Sequence, residues 1–176
     1  MKFVNYIFLI FSVSALPSCG TTNKNIFFHS RNVPDHVVYA IGYLGLHEHK
    51  DREQLHNLVG VDPVQTEWCA AFLNAILENQ NIAGSDSVSN NPLMARSFLS
   101  WGDTVAVPQI GDIMIFKRGN NSWQGHVAIY LDTVKKNNKT YYKILGGNQD
   151  DSVTISYYPT DLLISARRIE SPLLKS

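Results

Sequence analysis

Beyond Pro108 the apolar residues stop recurring every three or four positions and begin to alternate, and this change of period limits the folds open to the chain. Five runs, 112–117, 126–132, 140–145, 153–157 and 163–168, are short, rich in β-branched and aromatic residues, and separated by Gly and Asn clusters. Gly119-Asn120-Asn121 and Lys136-Asn137-Asn138 read as hairpin turns. Ahead of Pro108 the spacing is helical. Pro34-Asp35 opens a pattern through Val37, Val38, Ile41 and Leu44, and Asp51 with Gln54 reads as a capping box for a short helix to Leu58. Thr66 is a suitable N-cap for an apolar helix over 68–82, stopped by Gly84. Asn91-Pro92 starts another helix, with Leu93, Met94, Phe98 and Trp101 about one turn apart and Gly102 closing it. Helices first and a meander second predict an α+β domain, with a helix packed on one face of an antiparallel sheet of about five strands.

A length of 176 residues suits one such domain, and 15 basic against 15 acidic residues, with no long run of one sign, exclude the electrostatic footprint of a nucleic-acid binder. The N-terminus reads differently. Lys2 precedes an apolar run over 3–16, the length of a signal-peptide core and too short for a comfortable membrane span. It ends in Leu16-Pro17-Ser18-Cys19-Gly20, which resembles the lipobox of bacterial lipoproteins, where the cysteine is lipidated and becomes the new N-terminus. On that reading residues 1–18 are the signal peptide, 19–32 a polar tether, 33–170 the domain and 171–176 a tail. The chain is then exported and anchored to a membrane surface through lipid on Cys19. Gly20 in place of Asp favours the outer membrane or periplasmic face if the host is Gram-negative. An ordinary signal peptide followed by a Cys19–Cys69 disulfide is the alternative.

With Thr66 as N-cap, Cys69 occupies the third helical position, where unpaired backbone N–H groups and the helix dipole favour an anion. Thiolate is the nucleophilic form of cysteine, and Ala70 and Ala71 leave room for a strand to approach. His126 starts the alternating run Gly125-His126-Val127-Ala128-Ile129-Tyr130, a position that combines fixity with access, although a surface histidine at a hairpin fits the same spacing. A base needs a group to hold its other nitrogen. Asp132 is six residues along, roughly 20 Å away at about 3.3 Å per residue, and cannot serve. Asn148, in the turn Gly146-Gly147-Asn148-Gln149, ends the next strand beside the start of the His126 strand, although Gly-Gly-Asn is also an ordinary turn composition. His47, Glu48 and His49 read as a solvated turn, since an i, i+2 pair shares no helix face; no metal site is expected.

Trp68-Cys69-Ala70-Ala71-Phe72, Pro108-Gln109-Ile110-Gly111-Asp112-Ile113, Gly125-His126-Val127-Ala128 and Gly147-Asn148-Gln149 together resemble the CHAP domain (cysteine, histidine-dependent amidohydrolase/peptidase) and, more distantly, the NlpC-type cell-wall peptidases. The resemblance implies a papain-like fold, no cofactor, and hydrolysis of peptidoglycan amide bonds. Cys69 attacks the carbonyl, His126 carries the proton, and Asn148 holds the imidazole, making Cys69, His126 and Asn148 the catalytic set. The Cys69 N–H and a second donor, for which Gln65 is a candidate, stabilise the oxyanion; Trp68, Trp123 and Gln149 are further candidates around the groove. Many CHAP domains carry a Glu where this chain has Gly146, so orientation rests on Asn148 alone or on Gln149. The expected protein is a monomeric, wall-active cysteine hydrolase, an endopeptidase or an amidase, whose partners are peptidoglycan and, through the anchor, a membrane. A silent peptidoglycan-binding lipoprotein and a thioester-forming acyltransferase are the alternatives.

Overall fold

The computed structural model describes residues 33–169, so the expectations for the signal peptide, Cys19, the tether and the tail lie outside the described residues. Three helices come first: α1 (Asp35–Ile41), α2 (Arg52–Val59) and α3 (Cys69–Glu78). A 3-10 turn follows over Ala95–Ser100, and then six strands: β1 (Asp103–Val105), β2 (Ile113–Lys117), β3 (Gly125–Lys136), β4 (Lys139–Gln149), β5 (Ser152–Pro159) and β6 (Leu163–Arg168). They form one antiparallel sheet in the order β1-β6-β2-β3-β4-β5. The α+β prediction and the positions of the five longer strands agree with this architecture. The sixth, β1, was missed because its three residues are too few to carry a period of their own and pair only with β6.

The helices depart from their sequence signals at the ends. α3 starts at Cys69 with Trp68 at the N-cap, not Thr66, and closes at Glu78 instead of Ile82. Its start is set by tertiary contacts: Trp68 is buried, its indole N–H donates to Glu48 Oε2 at 2.9 Å, and its carbonyl accepts the first helical bond, from Phe72 N–H. Asp51 does precede α2, but its carboxylate accepts the His47 N–H across the preceding turn instead of closing a capping box. The run after Asn91-Pro92 forms only the 3-10 turn, held by Trp101 donating to Ala83 O and by Ser97 bonded to Ser85. The β3–β4 hairpin matches its signal: Lys136 pairs with Lys139, and Asn137 and Asn138 take φ of +48° and +60°, the left-handed pair of a type I′ turn.

α3 is apolar all round and buried over Cys69 to Leu77, as a helix covered on every side must be. It packs on β3 and β4. Burial of Phe72, Leu73, Ile76 and Leu77 stabilises the domain by about 2 kcal/mol each. Contact with β4 is close because residue 147 is glycine: a Cβ there would lie 2.5 Å from Trp68 Cζ3 and 2.8 Å from Phe72 Cβ. The other sheet face curls into a second cluster. Tyr158, on edge strand β5, reaches Phe116 of β2 three strands away, with ring centroids 4.9 Å apart. At the opposite end, buried Asp112 receives two hydrogen bonds from Arg168 (2.8 and 2.7 Å) and one from the Gln109 N–H (2.7 Å), fixing where β2 begins.

Replacing Gly147 by Ala forces Trp68 and Phe72 away from β4. Urea unfolding of Gly147→Ala is expected to show a loss of about 1–3 kcal/mol, with the slope unchanged.

Candidate active site

Cys69 is the first residue of α3, so the chain leaves the turn at 62–66 and presents the thiol at the helix mouth instead of at the third helical position. The thiol is free and only 3 % exposed. Backbone N–H groups of Val127, on β3, and Ala70, in its own first turn, favour the thiolate form of the sulfur. Burial nevertheless pushes the thiol above its usual range; the Val127 N–H, the Arg118 charge and the Ala70 N–H oppose this, while Glu67 adds to it.

His126 stands one residue before Val127 and is fully buried on the curled face, its ring stacked on Tyr158 at a centroid distance of 5.1 Å. Its tautomer follows from the neighbouring amide. Gln149 Nε2 donates to Thr154 O (2.6 Å) and Gly146 O (3.2 Å), which leaves Oε1, 3.1 Å from His126 Nε2, as an acceptor only. Nε2 therefore carries the proton and Nδ1 the lone pair. Nδ1 is buried without a hydrogen-bond partner among the described residues. Burial pushes the imidazole down to about 4, against the Gln149 hydrogen bond and with the aid of the Arg118 charge. The pair is thus a neutral thiol and a neutral imidazole at neutral pH, flanking the same end of β3 without a hydrogen bond between them.

Asn148 is not on the imidazole. It takes φ of +55°, turns away from the sheet, and donates to Glu67 Oε2 at 2.8 Å. Register explains the exchange. The β4–β5 ladder shifts between Gly146 and Gln149, so one residue beyond the expected one faces His126. Glycine at 146 lets β4 lie close against β3: a Cβ there would sit 2.9 Å from Ala128 Cβ.

A cleft of about 500 Å³ opens at the thiol, lined by Glu67, Leu93, Met94, Arg118, Trp123 and Gln124 among others. Trp123 faces it and is 59 % exposed. Two groove candidates are corrected. Trp68 is a core residue, buried between Glu48 and the Gly147 backbone, and Gln65 is exposed in the turn before α3, outside the cleft. Glu48, assigned to a solvated turn, is buried beneath Trp68. Sequence reasoning missed Glu67, Arg118 and Tyr158. The first two had a local signal, charged residues adjoining Cys69 and the turn before His126; Tyr158 had none, because it arrives through sheet curl.

An α+β domain with a buried cysteine at a helix start, an open cleft at that cysteine and a buried histidine at the start of the neighbouring strand has the features of the papain-like class of cysteine hydrolase fold. The chain matches the CHAP domain over residues 61–148, 88 of its 176 residues, and belongs to that family. Membership carries an amidohydrolase or peptidase type of function directed at peptidoglycan. Comparison with curated proteins and with solved structures gave no match.

The buried His126 has a stability signature. Its folded pKa of about 4 lies below the ordinary 6.5, so the unfolded chain takes up its proton first as pH falls. Stability is retained above pH 6.5 and lost between 6.5 and 4. Urea titrations at pH 8 and pH 4 should show wild type losing about 3 kcal/mol more than His126→Gln.

Proposed function

We propose that the protein is an exported, lipid-anchored peptidoglycan hydrolase that cleaves an amide bond through Cys69 and His126, with Gln149 in the holding position. The observation that carries this reading is the imidazole whose tautomer the Gln149 amide dictates and whose Nδ1 is left unpaired, one residue before Val127, whose backbone N–H favours the Cys69 thiolate. Substrate entering the cleft closes the thiol onto Nδ1. The Cys69 proton passes to Nδ1 as sulfur attacks the carbonyl, and the same proton then goes to the leaving amine, giving an acyl-enzyme that water hydrolyses. The Cys69 N–H, which as the first residue of α3 has no intrahelical partner, is the oxyanion donor. Tyr158, stacked on His126, shields the His126–Gln149 hydrogen bond from water.

Digestion of purified peptidoglycan, with mass identification of the new termini, tests the reaction and separates amidase from endopeptidase. Cys69→Ala is expected to abolish the release of fragments. Unchanged release would point to a binding lipoprotein, and transfer of the acyl group to an added amine to an acyltransferase. Gln149→Ala should lower kcat by about 10²-fold, through loss of the tautomer and orientation, while Asn148→Ala lowers it several-fold less. Equal losses would return Asn148 to the holding role.

Anchoring is tested at Cys19. Metabolic labelling with a fatty acid should mark the wild-type chain and leave Cys19→Ser unlabelled. Labelling of neither would sink the anchor and leave the hydrolase reading standing.

A further inference from the structure

The mouth of the cleft holds a guanidinium that the fold itself does not use. Lys117 ends β2 opposite Gly125 of β3, so Arg118 leaves the sheet at the same end at which His126 enters it. It lines the cleft together with Cys69, and its charge bears on Cys69, His126 and Tyr158 alike. Yet its side chain is 43 % exposed and makes no hydrogen bond among the described residues. Its one ionic neighbour is Glu67, whose Oε2 stands 3.6 Å from one arm. That oxygen is already hydrogen-bonded to Asn148 Nδ2 at 2.8 Å, and the Glu67 side chain is 79 % exposed, so the pair is a loose one in water. Every other arginine near the fold's framework is spent on it: Arg168 on Asp112, Arg167 on Leu99 and Gly102 carbonyls, Arg96 on Gln124 O.

A planar guanidinium with its donors unspent, beside a nucleophile, is suited to a carboxylate taken through two parallel hydrogen bonds. Leu93, Met94 and Trp123 give the cleft an apolar stretch of wall that suits small methyl-bearing residues. A peptidoglycan stem peptide offers both: alanines, and a γ-linked glutamate whose α-carboxylate is free. That carboxylate lies within two residues of the scissile bond whether the cut falls at the sugar–peptide junction or just inside the stem.

Resting on the hydrolase reading above, we propose that Arg118 is a specificity-determining residue that binds the free α-carboxylate of the γ-linked glutamate, so that the protein discriminates acidic stem peptides from those in which this carboxylate is amidated. Arg118 leaves Glu67 for the substrate and the incoming carboxylate neutralises it. The imidazolium formed during proton transfer is then no longer opposed by a bare positive charge.

The test separates binding from turnover. Cys69→Ala protein, checked for an unchanged thermal unfolding curve, is titrated calorimetrically with two soluble muropeptides that differ only in isoglutamate against isoglutamine. The acidic peptide is expected to bind about 10–100-fold more tightly. Adding Arg118→Gln should bring the two dissociation constants to within about twofold, and Arg118→Lys should keep part of the difference. Equal affinities with Arg118 intact, a preference that survives Arg118→Gln, or no binding of either peptide would each overturn the proposal. Wild-type turnover of the acidic peptide is measured separately. A binding preference without turnover supports the subsite and overturns the hydrolase reading instead.

Discussion

Gly147 has no side chain, and the rings of Trp68 and Phe72 stand where one would be. That close approach of α3 to β4 is the constraint on which the arrangement of the site depends. It sets the height of the nucleophile helix above the sheet, and Glu48, buried under the Trp68 indole, sets where along the sheet the helix begins. With Trp68 held at both edges, Cys69 has one place to be, at the first helical position and against the start of β3. The helix is therefore positioned by the residue before its nucleophile, which touches no part of the cleft.

The same pair of glycines determines the other half of the site. Gly147 admits the helix from one face, while Gly146 lets β4 close up on Ala128 of β3, and the register shift that follows turns Gln149 toward His126. Three acceptor and donor contacts on Gln149 then orient its amide so that only its oxygen meets the imidazole. A carboxylate in that place would stabilise a charged imidazolium. An amide holds the ring without charging it, in keeping with a histidine that burial keeps neutral at physiological pH.

Charge enters only at the rim. Glu67 and Arg118 flank the cleft, and Asn148, displaced from the imidazole, ties Glu67 to the end of β4. The interior of the site is apolar and desolvated, its mouth polar and open. Such a division buries the thiol and leaves exposed, loosely paired charges at the cleft mouth.

Local sequence determined the class of this protein. The change of period at Pro108, the Asn-Asn hairpin and the small residues after Cys69 are short-range signals, and each element they specify forms; four short motifs in order, at 68–72, 108–113, 125–128 and 147–149, pointed to the family. Tertiary structure decided which side chains meet. Asn148 and Gln149 are adjacent in sequence, and the sequence favours Asn148 as the group on His126; only the register shift between β4 and β5 puts Gln149 there instead, because one residue of slip turns a side chain to the opposite face. Thr66 is the better cap by propensity, yet Trp68 starts the helix, because a buried indole hydrogen bond and packing against Gly147 outweigh about 1 kcal/mol of capping. Tyr158 reaches His126 only because the sheet curls, a property of six strands together that no single strand records.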